Sequence, residues 1–174
     1  MEAKSEKIRS VLVFLFWVAF ISCCISAGVF LVGYLRQIFT QNYILKIMDQ
    51  DYSPLLTISK SVYHLFMLLN LGLVVLFAVL LFQILQLFRL FTVEDPFHKS
   101  LSRLLLKISR IFLWCGLISI PMVAICRLLP HFHPQSAADS SDTFNYLLMA
   151  AVLYLIAQVF RKGESLQAEN ELTV

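Results

Sequence analysis

The stretch SVYHLFMLLNLGLVVLFAVLLFQILQLF, from Ser61 to Phe88, runs for 28 residues without an Asp, Glu, Lys or Arg. A helix needs about 20 mostly apolar residues to cross a hydrocarbon core about 30 Å thick, so this run crosses one with length left for tilt. Outward from it lie three further uncharged runs: Ser10 to Leu35 with 26 residues, Ile111 to Cys126 with 16, and Thr143 to Phe160 with 18. The third is short by itself. Arg110 and Arg127 bound it, and long basic side chains reach opposite interfaces with their stems in the apolar layer. Leu128 and Leu129 prolong it until Pro130, which a helix does not continue through. The expected fold is all-α: a membrane-spanning four-helix bundle in a single domain, with approximate spans 11–35, 62–88, 108–129 and 143–160 and a tail over 161–174.

Composition agrees. Of 174 residues, 59% are hydrophobic and 14% charged, against about 45–50% and about 25% in soluble domains. Fifteen Phe against five Gly and five Pro exclude collagen-like and low-complexity chains, and the apolar content excludes disorder. The net charge of +3 gives no ground for direct nucleic-acid binding. Cys23, Cys24, Cys115 and Cys126 all sit in apolar runs without zinc-site spacing, so they read as small membrane-helix residues and imply no disulfide framework. Lys4, Lys7 and Arg9 precede the first run as in a secretory signal, but signal cores are only about 7–15 residues long. The bulky Phe20 and the apolar residues beyond Cys23 also disfavour a lipoprotein cleavage box at Phe20-Ile21-Ser22-Cys23, so the segment reads as retained.

Basic residues near the helix ends set orientation. One side carries ten: Lys4, Lys7, Arg9, Arg89, Lys99, Arg103, Lys107, Arg110, Arg161 and Lys162. The other carries four: Arg36, Lys46, Lys60 and Arg127. Both termini are therefore expected in the cytoplasm, with Trp17 and Trp114 as interfacial aromatics. On the outer side, Ile38 to Met48 has roughly helical apolar spacing and reads as a continuation of the first helix or a surface helix. Asp49 to Pro54 is turn chemistry leading to the second span, and 128–142 is a loop. On the inner side, Glu94-Asp95-Pro96 breaks the second helix. Arg103, Lys107 and Arg110, at i, i+4 and i+7, then form one basic stripe on the third, with Leu104, Leu105 and Ile108 on other faces. Such a stripe commonly meets anionic headgroups. The tail, with Glu164, Glu169 and Glu171, is acidic where the loop is basic.

Catalytic, cofactor and metal sites are not assigned. No P-loop, GxSxG or HExxH motif occurs. His64 and His98 have no neighbouring nucleophile in sequence. His131 and His133, with Asp139 and Asp142 nearby, have ligand-type side chains, but His-x-His alone supplies no supporting shell. Asn70, Gln83, Gln86 and Gln158 read as interhelical hydrogen-bonding residues, the three Gln in one layer. No Asp, Glu, Lys or Arg occupies the middle of a run, and Pro121 is the single kink candidate, which disfavours transport. The chain reads as a non-enzyme.

The C-terminal residues Phe160-Arg161-Lys162-Gly163, Leu166-Gln167, Glu169-Asn170 and Leu172-Thr173-Val174 resemble the end of an uncharacterised bacterial family of small four-helix integral membrane proteins. Pro96-Phe97, Arg103-Leu104 and Ile108 are similar to that family's inner loop. Ala168, and Glu94-Asp95 before the proline, depart from its pattern and alter tail charge and loop geometry. The family's genes often adjoin one for a Cro/C1-type helix-turn-helix regulator. The resemblance therefore implies a regulatory or accessory protein of the bacterial inner membrane, in contact with the lipid bilayer and with such a regulator. Its partner-binding residues would be Pro96, Phe97, Arg103, Lys107, Arg110, Leu166, Gln167, Glu169 and Asn170. The alternative is a membrane-embedded binder or transporter of a small apolar molecule or lipid, lined by Ser22, Ser26, Gly28, Gly116 and Ser119.

Overall fold

The computed structural model describes residues 2–41, 51–90, 99–129 and 140–171. They form α1 (Glu2–Thr40), a short 3-10 turn (Ser53–Thr57), α2 (Lys60–Leu90), α3 (Lys99–Arg127) and α4 (Ser140–Glu171), with no strand among the described residues. All four helices are long and apolar enough to cross a membrane, making this a multi-pass membrane protein. In hydrocarbon each backbone N–H and C=O must find its partner within the segment, which a helix provides.

The helix ends follow local chemistry. At the end of α1, Gln41 adopts φ 50°, the left-handed conformation in which helices commonly stop, and the Thr40 hydroxyl donates to the Arg36 carbonyl at 2.7 Å. Ser59 caps α2 by accepting the Val62 N–H at 3.2 Å. α3 runs unbroken through Pro121. Beyond Arg127, the Leu128 and Leu129 amides donate to the Ile125 and Cys126 carbonyls at 3.1 Å, tightening the last turn into 3-10 geometry.

Three helices exceed the uncharged runs by a wide margin, and α1, from Glu2 to Thr40, overruns its own at both ends. α3 starts at Lys99, well before 108, because Leu101, Leu104, Leu105 and Ile108 supply a continuous buried face. α4 carries on through the segment read as a tail, as far as Glu171. Gly163 costs about 1 kcal/mol relative to Ala in a helix, yet Glu164, Leu166, Gln167 and Ala168 are all good helix formers and nothing after it breaks the helix.

Successive helices run antiparallel. Phe16 meets Phe88 while Tyr34 meets His64; Leu80 packs with Leu104 and Ile108 while Met67 shares a cluster with Met122. Leu101 packs with Ala157 while Gly116 faces Leu147. Both termini therefore lie at one end of the bundle, here the termini end. Among the described residues, Cα atoms come within 8 Å only between consecutive helices. The bundle is consequently open, with α1 and α4 as its flanks. Much of α1, including Phe14, Val18, Ile25 and Val32, is exposed.

α3 and α4 make the closest approach. A Cβ built on Gly116 would stand 2.7 Å from Leu147 Cδ2 and 2.9 Å from its Cγ, so only glycine lets Leu147 lie there. Gly28 of α1 has nothing within 4 Å of such a Cβ. Gly116→Leu is expected to destabilise the protein by about 1–3 kcal/mol through overpacking, whereas Gly28→Ala should leave stability unchanged or slightly raised. Thermal denaturation of both variants in one detergent checks the contrast.

Candidate functional site

The termini end gathers the basic residues, and the α3–α4 register fixes their depth. Ser109 Oγ donates to the Ala150 carbonyl at 2.8 Å, so these two positions lie level. From Ala150 to Arg161, α4 advances about 16 Å. Arg161 therefore sits beside the start of α3, whereas Arg110, one residue beyond Ser109, lies about 18 Å further into the bundle. Arg103, Lys107 and Arg110 are all exposed, and Leu101, Leu104, Leu105 and Ile108 are buried behind them. The stripe does not stand clear of the apolar layer: it runs alongside a stretch of α4 that exposes Val152, Leu155 and Val159.

A groove of about 550 Å³ opens between these helices. Leu106, Leu113, Leu147, Ala150, Ala151 and Tyr154 make its apolar walls, and Ser109, Arg110, Gln158 and Arg161 supply its polar groups. Helical Cα–Cβ bonds tilt toward the helix N-terminus. In this antiparallel pair Arg110 accordingly leans toward the termini end and Arg161 leans back into the groove. Two arginines thus border one apolar cleft from depths about 18 Å apart, each leaning toward the other.

The sequence-predicted residues are dispersed by this arrangement. Arg103, Lys107 and Arg110 share the α3 surface, but only Arg110 enters the groove. Leu166 is 54% exposed on the last turns of α4. Gln167, Glu169 and Asn170 follow on the same helix backbone, with side chains outside the described residues, and Pro96 and Phe97 also lie outside them. So do His131, His133 and Asp139, while Asp142 sits in the first turn of α4. The expected glutamine layer is not joined, among the described residues, by hydrogen bonding at Gln83 Oε1. Gln158 lines the α3–α4 groove, whereas Gln83 Oε1 on α2 is buried without a hydrogen-bond partner among the described residues. The small residues expected to line a pocket between α1 and α3 do not converge either. Gly28 faces open space, Gly116 receives Leu147, and Ser119 donates to its own helix at the Cys115 carbonyl, 2.8 Å away. The four cysteines are free thiols.

Between α1 and α2, Arg89 stacks over Trp17 at 5.9 Å; Trp114 is exposed midway along α3. The end opposite the termini holds a polar–aromatic cluster that the sequence reading did not identify. Gln37 of α1 is wholly buried and accepts a hydrogen bond from the Tyr63 hydroxyl of α2. Tyr34 and His64 are hydrogen-bonded through Nδ1 at 3.0 Å, and the His64 ring lies edge-on to Tyr63 at 5.5 Å. Above them the 3-10 turn inserts Tyr52 and Leu55, both buried, against Phe30 and Phe66. Asp51 holds the turn by accepting the Ser53 N–H at 2.9 Å. Only the i+3 spacing from Tyr34 to Gln37, matched against Tyr63-His64, hinted at this lock.

A family model described as "Protein of unknown function (DUF2975)" matches residues 3–174, and the chain belongs to that family. No curated protein and no solved structure matches the chain.

The buried hydrogen bond between α1 and α2 is directly testable. Tyr63→Phe strips Gln37 of a donor inside the core and is expected to cost about 1–3 kcal/mol, read as a lower melting temperature in detergent. Adding Gln37→Leu should cost less than the two single losses summed, since both partners then go together.

Proposed function

We propose that this DUF2975 member is a non-catalytic regulatory or accessory protein of the bacterial inner membrane. Both termini face the cytoplasm, and the protein engages a small helix-turn-helix regulator through the 89–110 segment and the C-terminal tail. The observation that carries this reading is the continuation of α4 to Glu171. A tail already helical holds Leu166, 54% exposed, on a formed backbone, so a partner need not order a flexible segment on docking. Arg103, the stripe residue nearest the tail, gives the same surface a basic counterpart. The excess of basic residues at the termini end, ten against four, supports placing that end in the cytoplasm. The regulator is the partner implied by the likeness of the loop and tail motifs, and it would be held at the membrane without the chain itself touching DNA.

A second reading, that the membrane-embedded part binds a small apolar molecule or lipid, is favoured by the groove between α3 and α4. The groove replaces the lining of small residues that the sequence suggested on α1 and α3.

Affinity purification from native membranes in mild detergent tests the docking reading. The full-length chain should recover a small DNA-binding protein, and a chain ending at Lys162, or one with Arg103→Glu, should recover at least about tenfold less, as loss of a charge-assisted contact with its surroundings implies. Recovery of no such protein by either form refutes the reading. Reporter fusions at both termini should be active only with cytoplasmic reporters.

A further inference from the structure

Two arginines share an apolar groove in a helix pair built to sit in a bilayer. Arg110 and Arg161 line it together, no Asp or Glu is among its lining residues, and neither arginine forms an ion pair among the described residues. Arg110 lies about 18 Å deeper than Arg161 along the helix pair, level with apolar, exposed residues of α4 such as Leu148 and Met149. An arginine at that depth is costly unless it reaches the interface or meets a counter-charge. The groove gives it a direction in which to do both. We propose that the α3–α4 groove is a binding site for an anionic phospholipid, whose phosphate is held by Arg110 and Arg161 while one acyl chain lies against Leu106, Leu113 and Leu147.

The occupant follows from the chemistry of the walls. Guanidinium forks recognise phosphate oxygens in pairs, and Gln158, also lining the groove, adds an amide donor at a depth between the two arginines. Leu106 to Leu113 spans about 10 Å of α3, enough to seat the upper part of one chain and leave the remainder in the bilayer. The volume of about 550 Å³ falls within the range of small-molecule sites, about 300–1,000 Å³. A zwitterionic headgroup would bring an ammonium into a site with two cations and no carboxylate, so net negative charge is selected. Lipid is also the molecule that meets this surface at the highest concentration. The inference rests on the second reading above and is independent of the docking reading.

Native mass spectrometry of the purified full-length chain, titrated with phosphatidylglycerol or with phosphatidylethanolamine of the same chains, tests it. Phosphatidylglycerol is expected to bind about tenfold more tightly, the size of effect a charge-assisted contact gives. Arg110→Gln with Arg161→Gln should erase that preference, and Lys60→Gln with Arg127→Gln, which removes the same charge at the opposite end, should keep it. Ala151→Trp, a change at an exposed groove position, should weaken both lipids. Equal binding of the two lipids, abolished by Ala151→Trp, overturns the anionic assignment and leaves the lipid-binding reading standing. Binding insensitive to Ala151→Trp and to the arginine pair overturns both. A preference lost with Arg103→Gln and Lys107→Gln but retained in the groove pair overturns the site and assigns the effect to the surface stripe.

Discussion

Ser109 donates its hydroxyl proton to the backbone carbonyl of Ala150, and Gly116 opens the α3 backbone to Leu147. Those two contacts fix how far α4 slides along α3, and the layout of the termini end depends on that distance. Between membrane helices there is little hydrophobic drive, because lipid tails are as apolar as leucine. Close packing at small residues and a few hydrogen bonds decide the register instead. A shift by one turn, about 5.4 Å, would drive Leu147 against a side chain and break the Ser109 bond. It would also change which residues face Arg110.

The other end of the molecule is held differently. α1 presents much of its surface outward and touches α2 at intervals along its length: Phe16, Trp17 and Phe20 against Phe88, Arg89 and Phe82, Cys23 against the Val74 carbonyl, and Tyr34 and Gln37 against His64 and Tyr63. In an apolar setting such polar contacts contribute only about 0.6–2 kcal/mol each. Their directionality sets the rotation of α1, which bulk apolar packing leaves free. Tyr52 and Leu55 close this end, and Met122 extends the cluster onto α3, so the lock joins three helices. The two ends divide the work: a rigid apolar–polar plug at one, a charged and open surface at the other.

Helix number was legible because uncharged length is a one-dimensional property. Ser61 to Phe88 states its span without reference to any neighbour. Helix limits were less legible. The start of α3 and the end of α4 lie among charged residues that hydropathy treats as loop, yet those residues favour helix, and Leu101, Leu104 and Leu105 bury a face only once α4 is beside them. The 3-10 plug was missed because it has no repeating pattern, only a turn signature whose apolar residues find partners after α1 and α2 pair. The glutamine layer was misread for a related reason: similar depth along two helices does not place side chains on facing surfaces, and α2 meets α4 through apolar and aromatic side chains such as Phe77 and Tyr146, ring centroids 5.6 Å apart, while Gln158 turns to the α3–α4 groove.

The sequence by itself determined that this is a four-helix membrane protein, where charge accumulates, and that Arg103, Lys107 and Arg110 share one helix face. These follow from residue hydropathy and helical periodicity alone. Only the tertiary structure decided that Arg110 and Arg161 border one apolar groove while Lys107 and Arg103 do not enter it. It also decided that Gln37 and Tyr63 become partners in the core. Register and rotation between helices are set by the fit of facing surfaces, Gly116 against Leu147 or Tyr63 against Gln37. That fit does not exist until two distant segments of chain lie side by side.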